Sequence, residues 1–96
     1  DHSDSMALRD SGWIQLFAEN NQEAVDLHLQ AFRLAEELSL PVMVCMDGFI
    51  LTHAVERVDL PTQAQVDAWL PAYEPLQVLD TADPASCLRL FRSNRD

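Results

Sequence analysis

The first thirteen residues, DHSDSMALRDSGW, contain a single arginine, Arg9, among several aspartates and a histidine. A guanidinium stays charged at any physiological pH and offers parallel N–H donors to a carboxylate, so it suits the binding of an anionic substrate. The alternative is a solvated loop arginine that pairs with Asp4 or Asp10. From the residues alone, the loop pairing is the favoured interpretation.

Three further side chains could take part in chemistry. An imidazole can transfer protons near neutral pH, and both His2 and His53 flank the predicted edge of a sheet. A histidine satisfied by a backbone carbonyl is the alternative for each. Asp47 could lie near a substrate channel, or it could cap the next turn while Gly48 supplies a positive φ. We prefer the capping role, and no residue is assigned as catalytic.

Metal and cluster ligation by this chain is not predicted. Cys45 and Cys87 lie far apart, without a CxxC pair or a matching set of histidines. Cys45, within PVMVCM, is expected to be a small buried apolar residue. Asp1 and Asp4 lack partners that would complete a cation site, so we expect them to order the loop.

The elements that must position these residues can be predicted from periodicity. The alternating, aromatic-rich segment Gly12–Glu19 predicts a β-strand. Asn20 and Glu23 form a variant capping box, and apolar residues then recur at helical spacing over Gln22–Leu38. A proline ends that pattern, and the apolar run at 42–46 predicts a strand covered on both faces.

A strand, a helix and a strand with short connections predict a right-handed βαβ unit, and therefore an α/β fold with a parallel sheet. Ligands of such sheets collect beyond the carboxyl ends of the strands, where the segment Asp47–His53 begins. Thr62 is the predicted N-cap of a further short helix that Pro71 closes. Two strands alone would bury too little apolar surface, which indicates part of a larger domain.

Composition excludes several classes of protein. The 96-residue chain has six arginines, no lysine and sixteen acidic residues, for a formal charge of −10, and this charge would repel a nucleic acid. Its apolar runs are much shorter than the roughly 20 residues of a membrane-spanning helix. No basic-then-apolar leader is visible, so we expect a soluble, cytoplasmic protein with no membrane partner.

Three motifs then carry a family resemblance. They are D-H-x-D-x-M-x-x-R-x-x-G-[WF] at Asp1–Trp13, N-x-Q-E at Asn20–Glu23, and P-V-x-x-x-x-D-G-F followed by a Thr-His pair at Pro41–His53. In this order and spacing, the chain resembles the pyrimidine-binding domain of the α subunit of 2-oxoacid:ferredoxin oxidoreductases, which include pyruvate:ferredoxin and pyruvate:flavodoxin oxidoreductase. The resemblance extends from Asp1 to about Pro75.

The resemblance implies a partial three-layer, Rossmann-like domain that shares thiamine diphosphate with missing parts of the enzyme. It implies oxidative decarboxylation of a 2-oxoacid, with coenzyme A as acyl acceptor and ferredoxin or flavodoxin as electron acceptor. Magnesium and iron–sulfur clusters would belong to other subunits or domains. Arg9 would contact the substrate carboxylate, and His2, Asp47 and His53 would lie at the edge of the active site. With this resemblance, the substrate role of Arg9 becomes the preferred one.

The family's activating glutamate and its G-D-G metal motif have no counterpart here, so we expect the isolated chain to be an inactive fragment. Residues 1–75 would form the C-terminal part of the pyrimidine-binding domain, and residues 76–96 a linker and divergent tail. The tail ASCLRLFRSNRD contains three of the six arginines. It indicates a truncated or recombined gene, or a basic tail that contacts a partner. The alternative function is a non-catalytic acidic interaction module left from a truncated gene.

Overall fold

The computed structural model describes residues 1–75 and 79–86. Its elements, in chain order, are α1 (Ser3–Met6), β1 (Ile14–Phe17), α2 (Asn21–Leu38), β2 (Val42–Cys45) and α3 (Gln63–Trp69). Cys87 and the arginine-rich tail lie outside the described residues. None of the helices described has the length and apolarity needed to cross a membrane.

The two strands pair in parallel, as the βαβ prediction required. Ile14 is opposite Val42 and Phe17 is opposite Cys45, so both strands end at the same edge of the sheet. The amide of Ala18 donates to the carbonyl of Cys45 over 2.9 Å and extends the pairing beyond the strand. Within the described residues the sheet has two strands, which leaves one edge of each unpaired.

The predicted strand at Gly12–Glu19 is shorter in the structure. Gly12 has a φ of 86°, which a strand does not accommodate, so the extended segment begins only after it. This glycine, and not Gly48, takes the positive φ, because Gly48 is absent from the positive-φ positions of the described chain. The prediction of a positive φ at Gly48 was therefore wrong. The periodicity also gave no indication of α1, whose single turn is too short for a pattern.

The start of helix α2 confirms the predicted Asn20 cap, but the Glu23 side chain bonds a different backbone amide from the one expected. The side chain of Asn20 accepts from the Glu23 amide over 2.9 Å. The Glu23 carboxylate, however, accepts from the amide of Glu19, at 2.7 Å, and not from that of Asn20. The helix ends at Leu38 because Ser39 adopts the left-handed conformation, with a φ of 52°.

One segment of this chain lies on each face of the sheet, and most strand residues remain half-buried. Alternate residues of a strand point to opposite faces, so the β2 side chains divide into two sets. Val42 and Val44 share a cavity with α2 residues, whereas Met43 and Cys45 share a cavity with the N-terminal segment. Helix α2 therefore packs on one face and the segment that contains α1 on the other, in a small α/β arrangement of three layers.

Helix α3 packs on α2, and its Trp69 makes two contacts with that helix. Thr62 caps α3 and forms a complete capping box with Gln65, as the sequence predicted for its start. The indole N–H of Trp69 donates to the carbonyl of Leu29 over 3.2 Å. The guanidinium of Arg33 lies 4.4 Å from the centre of the Trp69 ring.

The buried apolar core is small. Its members in the described chain are Ala18, Ala31, Cys45 and Leu51. Cys45 is thus buried, as expected from its apolar neighbours. Several large side chains of the segment after β2 are exposed, with Phe49 at 73%, Ile50 at 79% and Leu60 at 73%. This segment contributes little to the core although Leu51, within it, is buried.

Candidate functional site

The carboxyl edge of the sheet is where ligands of parallel α/β folds bind, and His2 lies at this edge. Its imidazole contacts the ring of Phe17, the last residue of β1, edge-on with 4.8 Å between the ring centres. The next residues hold the N-terminal segment on the sheet, since the Ser5 carbonyl accepts from the Gln15 side chain over 2.6 Å. The structure therefore brings His2 to the predicted edge.

A cavity of about 330 Å³ opens between this segment and β2. On one side it is lined by His2, Asp4, Ser5 and Leu8, and on the other by residues 43–46. Its chemistry combines an imidazole, a carboxylate, a thiol and two thioethers, so a polar rim faces an apolar wall. Such a combination is suited to a ligand with an apolar ring and a few polar groups.

Asp47 follows β2 directly and caps the turn that leaves the sheet. One carboxylate oxygen accepts from the amide of Leu51 over 2.8 Å, and the other accepts from the amides of Phe49, over 3.3 Å, and Ile50. These backbone hydrogen bonds, with that from Leu51 foremost, lower the pKa of the Asp47 carboxyl, and desolvation opposes them. The geometry favours the capping role over a direct contact with substrate.

His53 lies at the end of the same turn. Its amide donates to the carbonyl of Phe49 over 3.1 Å, and the two rings lie 5.1 Å apart. The Thr52 hydroxyl is 3.3 Å from Nδ1 of the imidazole. His53 is exposed and does not line the cavity that contains His2, so the structure does not bring the two histidines into one site.

Arg9 has the contacts of a loop arginine. Its guanidinium donates to the carbonyl of Met6 over 3.2 Å, and Nε lies 3.9 Å from the carboxylate of Asp10. The side chain is 69% exposed. Of the two loop partners expected from the sequence, the structure gives Asp10. Arg9 is not among the described residues that line the cavity beside His2.

A contact that sequence analysis missed ties the segment after β2 to the start of α2. The Glu56 carboxylate accepts from the Asn21 amide over 2.9 Å. The Gln22 side chain donates to the Asp59 carbonyl over 3.1 Å and accepts from the Asp59 amide over 2.8 Å. These residues are more than 30 positions apart in the sequence, and no local motif predicts such a pairing.

A metal site within the described residues 1–75 and 79–86 would need several ligand side chains close together. No cluster of three or more histidine, cysteine, aspartate or glutamate side chains is placed to hold a metal ion there. His28, in the middle of α2, has its Nδ1 on the carbonyl of Ala24, which is a contact within the helix. The carboxyl edge of the sheet is therefore the candidate site that the described residues offer.

Comparison with known proteins identifies the family. The model of the pyruvate flavodoxin/ferredoxin oxidoreductase, thiamine diphosphate-binding family matches residues 1–91, and so continues beyond the resemblance to Pro75. Pyruvate synthase subunit PorA of Methanothermobacter thermautotrophicus is 51% identical over 88 residues, which are 90% of this chain and 23% of that protein.

Two other relatives align with a similar share of this chain. Pyruvate synthase subunit PorA of Thermotoga maritima is 53% identical over 90% of this chain and 23% of its own length. Ketoisovalerate oxidoreductase subunit VorA of Pyrococcus abyssi is 47% identical over 82% of this chain and 20% of its own length. The chain thus spans about a fifth to a quarter of the length of these relatives. Together with the parallel α/β arrangement, the match to residues 1–91 shows that the chain belongs to the pyruvate flavodoxin/ferredoxin oxidoreductase, thiamine diphosphate-binding family.

Proposed function

We propose that this chain is part of the α subunit of a thiamine diphosphate-dependent 2-oxoacid:ferredoxin oxidoreductase. The family match over residues 1–91 carries the proposal, and the parallel sheet with an open carboxyl edge supports it. The enzyme decarboxylates a 2-oxoacid, transfers the acyl group to coenzyme A and passes the electrons to ferredoxin or flavodoxin in the cytoplasm. The match favours this function over a non-catalytic acidic interaction module.

The substrate is proposed only as a class. Relatives of similar identity are named for pyruvate and for ketoisovalerate, which share the 2-oxoacid group and differ in the side chain. The 2-oxoacid carboxylate is anionic in both, and Arg9 is the proposed contact for it. Because the guanidinium is 69% exposed and its ion pair with Asp10 spans 3.9 Å, little would oppose its transfer to a substrate carboxylate.

The described residues fit the aminopyrimidine of thiamine diphosphate better than its diphosphate. No metal-ligand group lies among residues 1–75 and 79–86, so this part of the chain does not fit a magnesium-bound diphosphate. The cavity of about 330 Å³ beside His2 and Cys45 has the apolar wall and polar rim that an aminopyrimidine ring requires. When bound, thiamine diphosphate supplies the carbanion that attacks the 2-oxo carbon.

The residues of this chain would then bind and orient the cofactor ring and the substrate. His2 and the wall formed by Met43 and Cys45 would hold the ring and exclude water, and Arg9 would fix the carboxylate of the substrate. Asp47 would act indirectly, because its carboxylate is already engaged by backbone amides of the turn. Magnesium and the iron–sulfur clusters are assigned to other subunits or domains, and the isolated chain is proposed to be inactive.

A segment exchange tests the proposed function. The matching segment of the Thermotoga maritima subunit would be replaced by this chain's residues, and the complex assembled with its other subunits. We expect the exchanged complex to retain ferredoxin reduction that depends on a 2-oxoacid and on coenzyme A, with the unmodified complex as control. A complex that assembles and binds thiamine diphosphate, yet reduces no ferredoxin with pyruvate or ketoisovalerate, would refute the proposal.

A further inference from the structure

Two residues of β1 hold the N-terminal segment from the same face of the sheet. Gln15 and Phe17 are two positions apart in a strand, so their side chains point to the same side. The Gln15 side chain donates to the Ser5 carbonyl over 2.6 Å, and the Phe17 ring lies against the His2 imidazole. The first contact fixes the backbone of the segment, and the second involves a side chain that lines the cavity of about 330 Å³.

The backbone of His2 is fixed by helix α1. Its carbonyl accepts from the Met6 amide over 2.8 Å and from the Ser5 hydroxyl over 3.0 Å. The imidazole, in contrast, makes no capping hydrogen bond to the helix that it precedes. The backbone contacts leave the torsion angles of the His2 side chain undetermined, so the orientation of the ring depends on what the ring itself touches.

The ring of Phe17 supplies a contact of this kind. The centres of the Phe17 and His2 rings lie 4.8 Å apart, and their planes cross at 78°. Aromatic pairs prefer such an edge-to-face arrangement, with ring centres about 4.5–7 Å apart. The preference is directional, unlike the contact of a ring with an aliphatic side chain. Phe17 therefore favours one orientation of the imidazole as well as covering apolar surface.

The register of the sheet relates this ring contact to the cavity. Phe17 is the Cα partner of Cys45, and paired residues of neighbouring strands point to the same face. Cys45 and Met43 line the cavity from β2, and His2 lines it from the N-terminal segment. Phe17 therefore lies beside one wall of the cavity and contacts a side chain of the other.

We propose that Phe17 is a positioning residue for the ligand of this cavity. It holds the His2 imidazole in the orientation that contacts the aminopyrimidine ring of thiamine diphosphate. Phe17 is not among the described residues that line the cavity, so it acts through His2. The inference rests on the proposed function, which supplies the aminopyrimidine as the ligand. The sequence motifs end at Trp13 and resume at Asn20, so none of them contains Phe17.

An imidazole that is already oriented binds its ligand at a lower entropic cost. A side chain that is free to rotate loses this freedom when a ligand engages it, and the loss weakens the affinity. Where the Phe17 ring already holds the imidazole, this cost arises on folding and not on binding. The strength of an aromatic pair corresponds to about a 2- to 12-fold change in an equilibrium constant. Loss of the Phe17 ring should therefore raise the Kd for thiamine diphosphate within that range.

Phe17→Leu tests the inference, because it removes the aromatic ring and keeps an apolar side chain. In NMR spectra of the full 96-residue chain, the His2 imidazole protons should lose the ring-current shift that the Phe17 ring gives them. In the oxidoreductase complex that carries this chain's residues, the Kd for thiamine diphosphate, measured by titration of the apoenzyme, should rise about 2- to 12-fold. The Michaelis constant for the 2-oxoacid at saturating thiamine diphosphate should stay unchanged, because Arg9, the proposed carboxylate contact, is not among the described residues that line the cavity.

Three further variants separate positioning from a general effect on the fold. Phe17→Tyr keeps the ring and should keep both the His2 shift and the parent affinity. Phe32→Leu removes the same atoms on the opposite face of the sheet, where Phe32 lines a cavity with Val42 and Val44, and should leave both measurements unchanged. In a His2→Ala background, Phe17→Leu should have no further effect on the Kd, since Phe17 acts through the imidazole.

The two measurements distinguish failure of this inference from failure of the proposed function. Unchanged His2 shifts or an unchanged Kd in Phe17→Leu would overturn the positioning role. An additive effect of Phe17→Leu in the His2→Ala background would also overturn it. If the parent complex itself does not bind thiamine diphosphate, the proposed function is refuted, and the inference fails with it even where the chain shows the ring contact.

Discussion

The side-chain amide of Gln15 donates to the backbone carbonyl of Ser5 over 2.6 Å. The two bonded residues are ten positions apart in the sequence. Their bond joins the first strand to the segment that carries His2 and Arg9. Gln15 is half-buried, and its side-chain amide finds its partner in the Ser5 carbonyl, which also accepts from the Leu8 amide over 3.0 Å. The position of the proposed ligand-binding segment on the sheet therefore depends on a polar residue within an otherwise apolar strand.

Replacing Gln15 with leucine should release that segment. The change keeps the size of the side chain and removes the donor, at a cost of about 1 kcal/mol for a neutral hydrogen bond. Amide hydrogen exchange should become faster at Met6 and Ala7, whose amides close the short helix α1. Gln30→Leu is the control, because Gln30 is exposed and makes no side-chain hydrogen bond with a described residue. Equal exchange in both variants would contradict the prediction.

Asp47→Asn should change how the stability of the chain depends on pH. The pKa of the Asp47 carboxyl is lowered in the folded chain by the backbone amides that it accepts, first that of Leu51. The charged Asp47 carboxylate therefore stabilises the fold fully above its unfolded pKa, near 3.8. This stabilisation is lost as the pH falls through the lower pKa of the folded chain. The asparagine variant lacks this effect at neutral pH.

Urea unfolding at neutral pH and at successively lower pH measures the difference. The free energy of unfolding of the parent should exceed that of Asp47→Asn at neutral pH, and the gap should narrow below pH 4. Asp26→Asn is the control, because among the described residues this carboxylate accepts from the Gln22 side chain and not from a backbone amide. A gap that stays constant with pH would show that the Asp47 charge is not what stabilises the turn.

Much of this framework could be predicted from sequence because its signals are local. The Asn20 cap, the apolar periodicity of α2 and the proline after it determine one helix within a few residues. The apolar run at 42–46 similarly predicts the strand Val42–Cys45, although only Cys45 is buried and the other three residues are half-buried. The bond between Gln15 and Ser5 and the contact of Glu56 with α2 depend on tertiary packing, which no short window of sequence encodes.

The candidate site is less predictable from the sequence than the helices and strands. Asp47 lies at the carboxyl edge because βαβ topology determines where strands end, whereas His2 is brought there by the contacts of its segment with Gln15 and Phe17. The role of Arg9 is harder to predict, because an exposed guanidinium can take several partners and its substrate is a separate molecule. Its contacts with Met6 and Asp10 describe the chain alone, and the role at the substrate carboxylate stays a prediction.

Arg9→Ala in the assembled oxidoreductase should raise the Michaelis constant for the 2-oxoacid. A charge-assisted hydrogen bond is worth roughly 1.5–3 kcal/mol, or about a 10- to 150-fold effect on kcat/KM. Thiamine diphosphate affinity, measured by titration of the apoenzyme, should be nearly unchanged. Arg57→Ala is the control, because Arg57 is likewise exposed and pairs with a nearby aspartate, Asp59. Equal kinetics for Arg9→Ala and the parent would exclude the substrate role.

Trp69→Phe should weaken the packing of α3 on α2. The change removes the indole N–H that donates to the Leu29 carbonyl, and it leaves a smaller ring under the guanidinium of Arg33. Loss of one neutral hydrogen bond costs about 1 kcal/mol, and solvent can partly replace it because Trp69 is 42% exposed. Hydrogen exchange at the amides of Val66 and Leu70 should therefore be faster in the variant.

The matched control for this change is Trp13→Phe. Trp13 is 44% exposed, close to the 42% of Trp69, but its indole donates no hydrogen bond to a described residue. Both substitutions remove the same atoms from a similarly exposed side chain, so any difference between them reports on the Leu29 contact. Exchange in α3 should respond to Trp69→Phe alone. If both variants leave the exchange unchanged, α3 is held on α2 by contacts other than this tryptophan.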